Sequence, residues 1–265
     1  MAEPVRKMPA DQEPDWRRED GNPFPYGFRW RRSRLPNGEE KEEMIPLTAH
    51  DVLDPQFGDK VPQTEDHFRL VTSLADLLLR RYQARKDVLI LGDVQIYWDV
   101  PGLPNTSPDI AVVSGIGKRG KKSRVFKVAK EGARPCLIIE VVSDSDPAMR
   151  RNDYEKKVEV YQKAGVREYL IFDQPLSERS RFQMTGYRLS TSGRYRRIEP
   201  DAQGRLLSET TGLLFGVDED DSLLVADAAT GEPLRTSLQE AEARRAAEAE
   251  IARLRAELAR RGEPS

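Results

Sequence analysis

The chain has 265 residues, 33% of them charged and 38% hydrophobic, enough for one sizeable domain with extensions around a modest core. Its 43 Lys and Arg offset 45 Asp and Glu to a net charge of −2, which argues against a broadly basic nucleic-acid binder and leaves such binding to local patches. The absence of a cysteine–histidine cluster argues against structural zinc, and no apolar run approaches the ~18 residues of a membrane span, so a soluble cytoplasmic protein is expected.

Residues 1–46 read as an N-terminal arm. Met1 to Gly27 is rich in Pro, Asp, Glu and Arg, and poor order is expected there. Phe28 to Leu35 sets Trp30 among cations. It reads as an arm laying one aromatic on the domain, with a stacking contact to nucleic acid as the alternative. Thr48 precedes HDVL and can start a short helical turn. From Thr64 to Tyr82, Phe68, Val71, Leu74, Leu77, Leu78 and Tyr82 recur at steps of three and four, which predicts a helix with one apolar face. Thr64 or Gln63 would cap it, with Glu65 and Asp66 in the first turn. His67, by its position alone, reads as a polar residue satisfied at that terminus.

Val88 to Trp98 reads as strand, interrupted at Gly92–Asp93. A strand from Asp109 to Val113 would start at the acid after Pro108, in an antiparallel hairpin with the strand before it. Next comes a segment rich in Gly and cations, with Lys118, Arg119, Lys121, Lys122 and Arg124, then Lys127 and Lys130. It could hold a phosphate backbone or be solvated loop, and the sequence leaves both open. Cys136 to Val142 is apolar except for Glu140, as in a central strand covered on both faces. Cys136 itself reads as a small core residue in a reducing compartment.

Asp144, Ser145 and Asp146 ahead of Pro147 predict a helix start, and Gly165 a stop after Ala164. Tyr154, Val158 and Tyr161 share one side of that helix. Lys157 borders it, one turn after Asp153 and one before Tyr161, while Lys156 is about 100° away and faces elsewhere. EYLIFD, Glu168 to Asp173, reads as another buried strand. Phe182 to Glu199 predicts a hairpin, and short strands in Leu206–Val217 and Leu223–Ala226 are expected to extend the sheet. Thr236 to Arg261 is Ala-, Glu- and Arg-rich helix. Its Ala247, Ile251, Leu254 and Leu258 form a narrow stripe, which fits a solvated helix or a coiled-coil homodimer equally.

A buried strand has no structural use for an acid. Asp109 and Glu140, with a lysine available from the next helix, suggest a site for Mg²⁺ or Mn²⁺. The two acids would ligate the ion, the Val141 carbonyl could add a ligand, and Lys157 would stabilise developing negative charge or orient the attacking water.

The series PD, basic loop, EVVS, D-xxx-K-xxx-Y and GVREYLIFD resembles the Uma-two family, in the restriction-endonuclease-like branch of the PD-(D/E)XK nuclease superfamily. The resemblance covers roughly Leu47 to Asp173. It implies an α/β fold with a mixed central sheet flanked by helices. It also implies a metal-dependent endonuclease that hydrolyses phosphodiester bonds of nucleic acid, DNA foremost, with Asp109, Glu140 and Lys157 catalytic and His67, Asp153 and Tyr161 as accessories. The chain then divides into the arm, a nuclease-like domain at 47–235 with extra C-terminal strands, and a charged helix at 236–265. It departs from the superfamily pattern at Val142, two residues after Glu140, where a lysine is expected; that role passes to Lys157. The missing lysine and the neutral charge support an alternative, a catalytically inactive nuclease-fold scaffold acting through its C-terminal helix.

Overall fold

The computed structural model describes residues 23–24, 26–35, 40–54, 56, 59–61, 64–117, 125–142, 150–173, 182–218 and 222–262. Phe28–Arg34 (β1) and Glu40–Pro46 (β2) form an antiparallel hairpin. Arg31 and Arg32 meet Glu43 and Glu42 across it, and Arg29 pairs with Asp59. Those cations are therefore partnered within the chain, and Trp30 stands 49% exposed instead of lying on the domain.

Ala49–Leu53 (α1) starts at Thr48, whose hydroxyl accepts the Asp51 N–H while the Asp51 carboxylate accepts the Thr48 N–H. Glu65–Arg81 (α2) is capped by Thr64, whose hydroxyl accepts the His67 N–H. Leu74, Leu77 and Leu78 enter the core as expected, but Phe68 is 61% exposed and His67 is buried. Neighbouring residues differ by about 100° round a helix. The inward stripe at this end passes through the histidine, and the phenylalanine turns out.

Val88–Leu91 (β3), Ile110–Ser114 (β5), Pro135–Val142 (β7), Glu168–Asp173 (β8), Gln183–Leu189 (β9) and Tyr195–Arg197 (β10) make one mixed six-stranded sheet in the order β10-β9-β8-β7-β5-β3. Strands β7 and β8 run parallel, and every other neighbouring pair is antiparallel. A parallel pair needs a crossover, and here a helix provides it. That helix, already α-helical at Arg150 and Arg151, passes through a π-helical turn, Asn152–Lys156, and continues as Lys157–Ala164 (α4) to Gly165, which takes the left-handed conformation at φ 74°. Its expected cap at Asp144–Pro147 lies outside the described residues. Gln95–Tyr97 (β4) does not continue β3. It turns away after Asp93 and pairs in parallel with Val125–Lys127 (β6), which leads into Val128–Glu131 (α3).

Alternation sends the sheet's side chains into two cores. On one face Ile110, Val112, Leu137, Ile139, Leu170 and Phe172 pack against α2. On the other, Ala111, Val113, Ile138, Val142, Tyr169 and Ile171 pack against Val160, Tyr161 and Ala164 of α4. Residues 109 and 140 share the parity of the α4 face. Leu206–Ser208 (β11), Leu213–Val217 (β12) and Leu223–Asp227 (β13) do not extend the main sheet. They pair with one another as a separate three-stranded sheet, because Leu206, Leu213, Phe215 and Val225 are needed to cover the α2-side core. Ser237–Gly262 (α5) starts where the Ser237 hydroxyl donates to Asp76 of α2 at 2.7 Å. No helix among the described residues is long and apolar enough to cross a membrane.

Candidate active site

Asp109 stands one residue before β5, not inside it, and Glu140 sits in β7. The Asp109 carboxylate accepts the Val141 N–H at 2.7 Å through one oxygen. Its other oxygen lies 3.1 Å from His67 Nε2. The Asp109 N–H in turn faces Glu140 Oε2 at 3.4 Å, so backbone and side chain tie the two acids together across the strand ends. His67 thus lies at the cleft, and its Nδ1 is buried without a hydrogen-bond partner among the described residues.

Glu140 is almost fully buried. Its Oε1 accepts the Tyr161 hydroxyl at 2.6 Å and its Oε2 lies 3.1 Å from Lys157 Nζ. Lys157 also reaches Asp153 Oδ1 at 2.8 Å. Sequence reasoning therefore named a set that folding brings together: Asp109, Glu140, Lys157, Asp153, Tyr161 and His67 form one connected cluster. Lys156 faces the other way, onto a surface cleft with the Val100–Pro104 loop and Glu159. Val142, where the strand lysine would stand, is buried in the α4-side core. Lys118, Arg119, Lys121, Lys122 and Arg124 lie outside the described residues.

The electrostatics follow from three carboxylates around one ammonium. Burial pushes the Glu140 carboxyl up to about 8, with Asp109 and Asp153 adding to the rise and Lys157 and the Tyr161 hydrogen bond opposing it. Burial likewise raises Asp153 against the pull of Lys157. Burial alone would lower Lys157, but Asp153, Glu140 and Asp109 together outweigh it and hold the amine charged. Burial, with Glu140 beside it, raises Tyr161, which stays a hydrogen-bond donor.

Several contributors escaped the sequence reading. Asp93 turns the chain out of β3 at φ 48°, unusual for a residue with a side chain; burial and the nearby Asp109 charge raise its carboxyl. The Gly92–Asp93 pair marked the break but not its closeness to the acids. At the end of β8, Asp173 accepts two hydrogen bonds from Arg150 and one from Tyr154, tying the helix that carries Lys157 to the sheet just before and within its π-helical turn.

Among the described residues no three His, Cys, Asp or Glu side chains form a ready-made metal-ligand set. What the cluster does offer is two adjoining carboxyl groups, Asp109 and Glu140, whose ionised forms a cation beside them would favour. That suits an ion such as Mg²⁺, which uses one or two carboxylates and keeps several waters.

Residues 40–224 match the family model Uma2, described as "Putative restriction endonuclease". The chain belongs to the Uma2 family. The Uma2 match encloses His67, Asp109, Glu140, Asp153, Lys157 and Tyr161. Among solved structures, the chain is similar to "a putative nuclease belonging to DUF820" from Anabaena variabilis. The two are 14% identical with a TM-score of 0.41, over 68% of this chain and 82% of that one. No curated protein matches.

Proposed function

We propose that this Uma2 chain is a divalent-metal-dependent endonuclease that hydrolyses phosphodiester bonds of nucleic acid, with DNA as the foremost substrate. One observation carries the reading: Lys157, arriving from the helix, lies 3.1 Å from Glu140 and supplies there the cation that Val142 cannot. Asp109 and Glu140 would hold Mg²⁺ or Mn²⁺, with the Val141 carbonyl and water as further oxygen ligands. When bound, such an ion acidifies a water and offsets charge on the scissile phosphate. His67 and the Val141 amide hold the two Asp109 oxygens in place. Tyr161 does the same for Glu140 from the dry side. Lys157 puts a permanent positive charge where negative charge grows on the phosphate. The segment with Lys118, Arg119, Lys121, Lys122 and Arg124 would hold the nucleic-acid backbone against the repulsion of the acids.

The test is cleavage of supercoiled, linear and single-stranded DNA and of RNA in Mg²⁺ and in Mn²⁺. Asp109→Asn and Glu140→Gln should each cut the rate by about a hundredfold or more, since losing a ligand costs at least as much as losing its outer-shell partner. Both should weaken Mg²⁺ binding in calorimetry and leave the circular dichroism unchanged. Equal rates and equal Mg²⁺ affinity in wild type and both variants would rule the reading out.

A second reading, a nuclease-fold scaffold acting through α5, has one observation in its favour. Ile251, Leu254 and Leu258 are exposed along a helix whose first turn is bonded to α2. Deleting residues 236–265 should leave a folded domain, because the removed helix buries little. If α5 pairs two copies, light scattering should show the mass falling by half; a monomer before and after deletion would count against the homodimer.

A further inference from the structure

Asp153, Lys157 and Tyr161 stand four residues apart, a spacing that drifts by about 40° per step round a regular α-helix. They nevertheless meet at one place: Lys157 touches both Asp153 and Glu140, and Tyr161 touches Glu140. The π-helical turn absorbs part of that drift. The Lys157 N–H donates to the Asn152 carbonyl, five residues back, where an α-helix would use the Asp153 carbonyl. The Asp153 carbonyl accepts the hydroxyl of Tyr169 on β8 at 3.0 Å. Tyr169 is fully buried, so this contact anchors the turn to the sheet.

We infer that Asp153 is a positioning residue for the proposed reaction: with Tyr169 fixing its backbone, it holds the Lys157 ammonium between two carboxylates and keeps it from closing on Glu140 alone. The inference rests on the nuclease reading. A lysine paired only with Glu140 would compete with a metal ion for that carboxylate. Shared between Asp153 at 2.8 Å and Glu140 at 3.1 Å, it leaves Glu140 available. An ammonium has three donors. The two carboxylates take two of them, and the third, without a partner among the described residues, is left for an anionic phosphate oxygen. The device also answers the missing strand lysine. A cation borrowed from a helix needs a second anchor, because its long flexible stem does not fix where its charge sits.

Two variants test this from different sides. Asp153→Asn keeps the shape and removes the charge, while Tyr169→Phe removes only the hydroxyl that holds the turn. The first readout needs no activity: acetylation of the Lys157 amine followed by mass spectrometry. It should be slow in wild type and several-fold faster in both variants. The second is DNA cleavage in Mg²⁺. Asp153→Asn should lower kcat by about 10–100-fold, the usual cost of losing an outer-shell partner, with KM for DNA unchanged. In a Lys157→Met background Asp153→Asn should cost nothing more, because it acts through that lysine. Wild-type acetylation rates in both variants, or fully additive rate losses, would overturn the inference. A wild-type chain that cleaves nothing would overturn the nuclease reading instead, and the acetylation comparison would still decide whether the clamp exists.

Discussion

Lys157→Met should cut cleavage by about a hundredfold or more, the scale of removing one charge-stabilising donor, while Lys156→Met leaves it near the wild-type rate. The same substitution should destabilise the protein. Lys157 is 13% exposed and pairs with two buried carboxylates. Removing one partner of a buried pair costs about 3–5 kcal/mol, because the charge left behind has no compensation. The cost should depend on pH. Glu140 already titrates near 8, against an ordinary value of 4.5, because it is buried among other acids. A carboxyl raised on folding stabilises the folded state while protonated. Its contribution is full below about 4.5 and is lost as pH rises through about 8. Lys157 is the largest influence opposing that rise, so its loss drives the Glu140 carboxyl higher still. Both proteins lose the Glu140 contribution in parallel until pH nears about 8, where the loss levels off in wild type but continues in the variant, so the Lys157→Met deficit should stay nearly level from pH ~5 to ~7 and widen above pH ~8, as read by melting temperature. Rates should be normalised to the folded fraction. A deficit of the same size at pH ~7 and pH ~9 would mean that the unpaired Glu140 carboxyl is not its source. Equal cleavage by the two lysine variants would remove Lys157 from the chemistry.

How much of this was readable depends on the kind of signal. Lone charges in or beside apolar strands are conspicuous, so Asp109, one residue before β5, and Glu140, within β7, stood out. Helical periodicity then put Lys157 rather than Lys156 toward them, and the contacts agree. Caps at Thr48 and Thr64 follow from local hydrogen-bonding chemistry and were equally visible. Features set by tertiary packing were not. The π-helical turn inserts no unusual residue, and Tyr169 on the Asp153 carbonyl joins segments that sequence does not align. The pairing of β4 with β6, and the separation of β11–β13 from the main sheet, depend on which apolar faces remain to be covered. Reading Phe68 as buried failed because one helical step separates it from the inward histidine, and a histidine carries no apolar signal of its own.

The largest loss of stability outside the cleft should come from Glu168, the first residue of β8. It reads as the polar end of an apolar strand, yet its residue is completely buried. Its Oε1 accepts Arg188 Nε at 2.8 Å and the Glu209 N–H at 2.9 Å. Its Oε2 accepts the Ser208 hydroxyl at 2.6 Å, the Thr210 hydroxyl at 2.6 Å and the Thr210 N–H at 3.1 Å. Arg188 stands opposite it on β9 and also donates to the Leu207 carbonyl. One carboxylate thus binds the main sheet to the turn after β11. Glu168→Ala would strand those donors, and Arg188→Ala would remove one donor to the carboxylate. Glu168→Ala should cost about 3–5 kcal/mol, since several buried donors lose their acceptor at about 1–3 kcal/mol each; Arg188→Ala should cost less, because Glu168 keeps four of its five hydrogen bonds. Replacing the half-buried Arg205, which pairs with Asp201 in a surface turn, should cost less than about 1 kcal/mol. Urea unfolding followed by circular dichroism distinguishes the cases through the midpoint. Cleavage per folded molecule should survive Glu168→Ala, because β8 pairs Ile171 with Glu140 and Glu168 lies three residues upstream, roughly 10 Å along the strand. A midpoint unchanged from wild type would show that the five hydrogen bonds do not hold the two sheets together.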